Sequence, residues 1–301
     1  MKNITVIFGA ARCGSNYFLS ACKRFDRLTT LGEVYHRHAV YPLGMDYKED
    51  YTIKTKLLRN IVDKYPAQIG LQPQDLAEFT DFSGAANIRL DEILVKFSHA
   101  HFKLFFAEIG EIGNHPNIIF KIFPEHLGPG QILQLIGTFR PRIVLMVRNP
   151  LDTFISGLKA SITKQYGTAD TTELKIPFKP EAYFAYKASL TKYYDTISQY
   201  CTEIGLGYSV ISYEDIHSDK ATDSVEYIRQ SLTPIFGDDL PYTQQEVKMP
   251  LFTRQDRAGS TAEKVENPQD LPLTAQTLAI LASPFEKARR IPPRGPLAAS
   301  S

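Results

Sequence analysis

Residues 4–19, Ile4-Thr5-Val6-Ile7-Phe8-Gly9-Ala10-Ala11-Arg12-Cys13-Gly14-Ser15-Asn16-Tyr17-Phe18-Leu19, constrain the fold more than any other stretch of the chain. A β-branched and aromatic run stops at Gly9, a loop of small residues follows, and an apolar helical pattern begins with Tyr17, Phe18, Ala21 and Cys22. Strand, tight loop and helix, in that order, aim backbone N–H groups and a helix N-terminus at an anion. Gly9 and Gly14 stand five apart, as in a P-loop, but Ser15 replaces the P-loop lysine and Asn16 the Mg²⁺-binding hydroxyl. A basic residue, Arg12, sits inside the loop instead. The pattern is that of a phosphate cradle without the metal machinery of an NTPase.

The rest of the chain alternates strand and helix signals. Ile118–Phe123 and Ile143–Val147 are almost continuous apolar runs, the look of strands buried on both faces of a parallel sheet. Leu28–Leu31 and Tyr208–Ser212 read as further strands. Helices are expected over Lys54–Tyr65, Gly84–His101, Pro180–Glu203 and Val225–Phe236. Another is expected from Asn149, with Pro150 at its first position and Asp152 in its first turn. Residues 161–180 read as a polar surface loop or flap, and residues 252–267 as a polar, basic stretch without periodicity. The expected class is α/β: a P-loop-like, three-layer fold with a central, mainly parallel sheet flanked by helices. No composition break divides the chain, so one domain is expected over residues 1–290, with a loose tail over 291–301.

The formal net charge of +1 offers no global attraction to nucleic acid or to an anionic membrane, so neither partner is expected. Any anion site must be a local concentration of Arg and Lys. The three cysteines, Cys13, Cys22 and Cys201, form no disulfide framework and lack metal-ligand spacing, which suits reduced thiols. With no apolar run of membrane-spanning length and a strand almost at Met1, the expected location is cytoplasmic.

In parallel α/β sheets ligands sit beyond the carboxyl ends of the strands. Arg12, Glu33, Lys121 and Arg148 all fall at or near such ends. An NTPase would carry an acidic Mg²⁺ ligand at the end of a later strand. Here the run Ile143–Val147 ends in Arg148, whose planar fork of donors suits a phosphate. Ser156, eight residues on and two turns into the helix, faces the same way and adds a hydroxyl donor. These residues describe two anion-binding ends and no metal ligand.

Arg12-Cys13-Gly14-Ser15-Asn16-Tyr17 resembles the 5′-phosphosulfate loop of sulfotransferases that use 3′-phosphoadenosine 5′-phosphosulfate (PAPS), and Arg148–Ser156 resembles their 3′-phosphate motif, with Arg and Ser at the same interval. Gly32-Glu33 is similar to the short motif after the second strand in the bacterial and glycan branch, and Tyr213-Glu214-Asp215 falls where the family commonly has it. The resemblance spans residues 4 to about 216. It implies metal-free, in-line sulfuryl transfer from PAPS to an acceptor hydroxyl, on a small molecule or glycan, with a carbohydrate or glycolipid preferred. Arg12 and the N–H groups of Gly14, Ser15 and Asn16 would hold the phosphosulfate, with Cys13 and Tyr17 completing the loop and Cys13 serving in packing. Arg148 and Ser156 would hold the 3′-phosphate, Lys121 would neutralise the leaving phosphate, and Glu33 would be the general base. The chain departs from the cytosolic branch at Phe123, where a catalytic His follows the strand-three Lys; His126 lies three residues further on. The C-terminal 3′-phosphate contact is not recognisable, leaving Arg254, Arg257 and Lys264 as candidates, with Arg257 foremost. The bland alternative for Glu33 is an ion pair with Arg37. Competing functions are a kinase with a degenerate P-loop and a non-catalytic nucleotide-binding protein.

Overall fold

The apolar run at the start of the chain forms β1 (Asn3–Phe8), and the run Asn117–Ile122 forms β3, buried along its whole length. The two pair in parallel from Asn3 opposite Asn117 to Phe8 opposite Ile122. The short strand β2 (Leu28–Thr30) pairs in parallel on the other side of β3, and β3 carries no alternation because both of its faces are buried. With β4 (Arg142–Val147) and β5 (Tyr208–Ser212), they make one all-parallel sheet of order β2-β3-β1-β4-β5, flanked by helices. This is the expected three-layer α/β architecture. The computed structural model describes residues 2–42, 47–80, 83–113, 115–165, 170–216, 221–236 and 260–272; the tail expected over 291–301 lies outside them. Among the described residues no helix is long and apolar enough to cross a membrane.

The chain divides into two compact units, one built on Asn3–Phe8 and residues 25–143, the other on residues 9–24, 144–236 and 260–272. In the first unit, helices α2 (Tyr47–Lys64), α4 (Gly84–Ala100) and α5 (Phe102–Ile112) pack on one another. Ser83 caps α4 by accepting the Ala86 N–H at 3.1 Å. Two helices of three turns escaped the sequence reading, besides the one-turn helices. In α5, the segment Phe102–Ile112 buries Phe105, Phe106, Ile109 and Ile112 at helical spacing, a stripe that the sequence reading passed over, together with Glu108. A Cβ at Gly110 would lie 3.2 Å from Ile4 Cδ1, so this glycine lets α5 approach β1 closely. The other, α6 (Pro129–Phe139), opens on Pro129-Gly130, a pair that reads locally as a turn. The helix expected over Lys54–Tyr65 begins a full two turns earlier, and a one-turn helix, α3 (Pro66–Ile69), follows it.

The second unit contains α1 (Ser15–Cys22), α7 (Pro150–Thr163), α8 (Pro180–Glu203), α9 (Tyr213–Ile216) and α10 (Ala221–Phe236). Its segment 170–179 corrects the expectation of a polar surface loop. Ile176 and Phe178 are buried with Leu151, Ile155, Tyr183, Val265 and Leu271. The Ile176 N–H donates to the Lys264 carbonyl at 3.2 Å, and Glu266 N–H donates back to the Ile176 carbonyl at 3.0 Å. Fully buried Lys159 closes the other end by donating to the Thr171 carbonyl at 2.8 Å. The segment is thus clamped between α7 and residues 260–271. Its polar composition misleads because the segment's own backbone groups hold it, paired with the backbone of residues 264–266 and with the side chains of Lys159 and Asn267.

Candidate active site

The loop after β1 turns at Arg12 and Gly14, with φ of 70° and 89°. Gly14 is the N-cap of α1, and a Cβ there would also lie 2.2 Å from Cδ2 of Tyr213, so both conformation and space exclude a side chain. The Phe18 N–H bonds to the Gly14 carbonyl at 3.1 Å, beginning the helix ladder. The N–H groups of Ser15, Asn16 and Tyr17 therefore form the electropositive end of α1. Asn16 is exposed, whereas Ser15 and Tyr17 are buried. Cys13 is buried too, with its sulfur 2.9 Å from where a Gly9 Cβ would be, as expected of a packing residue.

Residues from both phosphate-type motifs come together here. Arg12 Nε donates to Ser156 Oγ at 3.1 Å, and Arg148 Nη1 donates to the Arg12 carbonyl at 2.8 Å. The Arg148 guanidinium also lies 4.3 Å from the centroid of the Tyr213 ring, a cation–π contact. The start of α7 fixes Arg148 from behind: Asn149 Oδ1 accepts the Leu151 N–H at 2.9 Å, and the Asn149 N–H donates to Glu214 Oε1 at 2.8 Å. Burial, and then the nearby Arg148 charge, lower the Arg12 guanidinium from its ordinary value. Two guanidinium groups in a half-buried place repel one another, and an anion between them relieves that repulsion. Tyr213 is a member of the site that sequence reasoning noted only as a family landmark. Its closeness to Gly14, two hundred residues away, has no local signal.

Lys264 is not a free phosphate ligand. Its buried ammonium is 2.9 Å from Asp152 Oδ1 in the first turn of α7, which neutralises it there. Arg254 and Arg257 lie outside the described residues.

In the first unit the pairing of β2 with β3 runs on past Thr30. Leu31 N–H donates to the Ile119 carbonyl at 2.8 Å and Lys121 N–H to the Gly32 carbonyl at 3.3 Å, which brings Glu33 alongside Lys121. A Cβ at Gly32 would lie 2.5 Å from the Tyr41 carbonyl oxygen, so the returning loop requires glycine. That loop is tied by the Tyr41 N–H to the Glu33 carbonyl at 3.2 Å and by the Val40 N–H to Asp91 Oδ1 at 2.9 Å. Asp91 in turn pairs with buried Lys54 at 2.8 Å.

Lys121 Nζ is 3.0 Å from Glu33 Oε1, the ammonium end of a side chain 3% exposed against one 24% exposed. His126 Nε2 approaches Glu33 Oε2 at 3.4 Å. Glu33 thus pairs with Lys121 and His126, in place of the Arg37 pairing weighed from sequence. Burial alone would raise the Glu33 carboxyl, but the Lys121 charge and the contacts with His126 and Lys121 outweigh it and hold it at about 2. His36, His38, Tyr41 and His126 form a ring cluster beside it, with His36 5.7 Å from His126 and 5.1 Å from Tyr41 between centroids. Burial, opposed by Glu33 and reinforced by Lys121, lowers His36 from the usual imidazole range. His99 is lowered likewise, by burial first and then by Arg37.

Arg12, Ser156 and Arg148 therefore meet in one unit, and Glu33 and Lys121 meet in the other. Among the described residues no group of three or more His, Cys, Asp or Glu side chains is arranged to hold a metal ion. No protein-family model matches the chain, and no curated protein matches it.

Proposed function

We propose that this chain is a sulfotransferase that moves a sulfuryl group from PAPS to an acceptor hydroxyl. The observation that carries the reading is the contact of Arg12 with Ser156 and of Arg148 with the Arg12 carbonyl. Two motifs 136 residues apart, matched separately to the 5′- and 3′-phosphate sites of one donor, build a single double-arginine cluster at a helix N-terminus. The fit to the donor is chemical. Arg12 and the α1 N–H groups suit the phosphosulfate, and Arg148 with Ser156 suits the 3′-phosphate. The Tyr213 ring offers a flat apolar surface next to both.

In the reaction the acceptor oxygen attacks sulfur in line with the bond to the 5′-phosphate oxygen. That S–O bond breaks, adenosine 3′,5′-bisphosphate leaves, and the acceptor proton passes to Glu33. Lys121 balances the charge gathering on the leaving oxygen. A carboxylate held at about 2 is a weak base, far below the operating pH. Lys121 resolves this by serving two anions in turn. When its charge is drawn to the leaving phosphate, the pull on Glu33 weakens, and burial then raises the carboxyl. Glu33 gains basicity as transfer begins. A sugar hydroxyl, on a carbohydrate or glycolipid, is the preferred acceptor through the family resemblance, and a cytoplasmic location fits the buried, reduced thiols.

Thermal unfolding tests the donor. Adenosine 3′,5′-bisphosphate at a hundred times its Kd should stabilise the protein by about 2.7 kcal/mol, and Arg148→Ala should abolish the effect. Stabilisation by ATP–Mg²⁺ and not by the bisphosphate would replace this reading with the kinase. If the bisphosphate binds but no sulfuryl transfer occurs to any of a panel of sugars and phenols, the non-catalytic reading prevails.

A further inference from the structure

The sequence Phe123-Pro124-Glu125-His126 turns back on itself directly after β3. The His126 N–H donates to the Phe123 carbonyl at 3.0 Å, and the Phe123 N–H donates to His126 Nδ1 at 3.2 Å. Pro124 pre-sets the turn at its second position. The imidazole is fully buried. Because Nδ1 accepts a backbone N–H, a proton there would set two donors face to face, so the ring carries its proton on Nε2. Nε2 is in turn buried, makes no well-formed hydrogen bond among the described residues, and lies 3.4 Å from Glu33 Oε2. At 3.4 Å the resting contact is electrostatic, since good N–H···O bonds are shorter. A buried N–H left just short of a carboxylate costs free energy in the resting protein, and a small movement of Glu33 would satisfy it.

We propose that His126 is a positioning residue for Glu33: a neutral ring, locked as its Nε2–H tautomer by the Phe123 N–H, that holds Oε2 when Lys121 turns from Oε1 to the leaving phosphate. The inference rests on the transfer reading above for its timing, but the lock itself is a property of the protein alone. It excludes His126 as the general base, because the one lone pair of its ring nitrogens faces a backbone N–H. The other groups around Glu33 do not take this part. Lys121 is committed to the leaving group. Arg37 and His38 are exposed, and half-buried His36 accepts the His38 N–H on Nδ1 at 3.3 Å with its ring against those of Tyr41 and His126. His99 belongs to α4, and its buried Nε2 has no hydrogen-bond partner among the described residues.

The test begins with ¹⁵N NMR of the histidine rings in the full chain at neutral pH. A protonated Nε2 and an unprotonated Nδ1 are expected for His126; an Nδ1–H tautomer or a doubly protonated ring overturns the proposal. The Glu33 carboxyl is then followed by ¹³C NMR in the wild type, in His126→Phe and in His126→Gln, whose amide can still donate to Oε2. Its midpoint should rise by about one unit in the Phe variant and return towards wild type with Gln. An unchanged midpoint in the Phe variant overturns the proposal. Neither readout needs turnover, so both decide even if no transfer is found and the sulfotransferase reading falls. Where transfer is measurable, His126→Phe should lower kcat roughly a hundredfold, leave the KM for PAPS unchanged and move the acidic limb of kcat upward, with Gln recovering most of the loss. Equal losses in the Phe and Gln variants with no movement of the acidic limb reduce His126 to a packing residue.

Discussion

At Glu33 burial pushes the carboxyl up while the Lys121 ammonium and the His126 ring pull it down, and the pull wins. The pair therefore leaves a signature in stability. The folded value of about 2 lies below the ordinary 4.5, so the stabilisation is fully present above about pH 4.5 and is lost as pH falls through about 2. A difference of that size corresponds to about 3 kcal/mol. Urea unfolding at a series of pH values should show the wild type losing about that much more stability than Glu33→Gln between about pH 5 and 2. Parallel curves for the two proteins would mean that no such clamp exists. The sequence brought Glu33 and Lys121 to strand ends of one sheet but not to each other: the partner weighed for Glu33 was Arg37, and the pairing with Lys121 follows from the β2–β3 register, which no local pattern states. The share of His126 was not legible. Its ring reaches Glu33 through a three-residue turn, and nothing in Pro124-Glu125 says which way the imidazole will point.

The elements that were read correctly carried their boundary chemistry in the sequence. Helix α7 is the clearest: Asn149, Pro150 and Asp152 announced its start, and the Asn149 side chain does cap the Leu151 N–H. The same residue is bonded through its own N–H to Glu214, so it holds the strand end that carries Arg148 as well as the helix. Asn149→Ala should cost about 1 kcal/mol in unfolding free energy and weaken adenosine bisphosphate binding, whereas Asn149→Asp should keep both. Calorimetry on the two variants checks this, and full bisphosphate affinity in Asn149→Ala would detach the cap from the site. The helices that were missed are marked more weakly at their starts: α5 carries an apolar stripe, Phe105, Phe106, Ile109 and Ile112, but no side-chain cap, and α6 opens on Pro129-Gly130, which serves a helix start as well as a turn. The clamp of residues 170–179 onto 260–271 is made by backbone groups and by the Asn267 amide on the Phe178 backbone, while two buried lysines tie both segments to α7, Lys159 through the Thr171 carbonyl and Lys264 through Asp152. Alternation of strand and helix thus survives as a guide to fold class, while long-range backbone pairing stays invisible until the chain is folded.

For the molecule as a whole, its three thiols make a built-in probe of the proposed donor site. Cys13, Cys22 and Cys201 are free and buried, and all belong to the second unit, where Cys13 is part of the loop with the two arginines. Burial raises the Cys201 thiol to about 12 and pushes Cys22 higher still, so in the folded protein neither offers a thiolate near neutral pH. A disulfide-exchange reagent can therefore modify them only through opening of this unit, and when closing is faster than modification the rate follows the open population. A ligand that binds only the closed form, present at a hundred times its Kd, lowers that population about a hundredfold. Adenosine 3′,5′-bisphosphate should thus slow labelling of all three thiols about a hundredfold, and ATP–Mg²⁺ at the same concentration should slow it far less. Mass spectrometry of the labelled peptides resolves the three sites. Protection confined to Cys201, with Cys13 and Cys22 labelled at their unliganded rate, would mean that the ligand sits on α8 and not on the Arg12 loop, and would move the anion site away from the stretch that organises this fold.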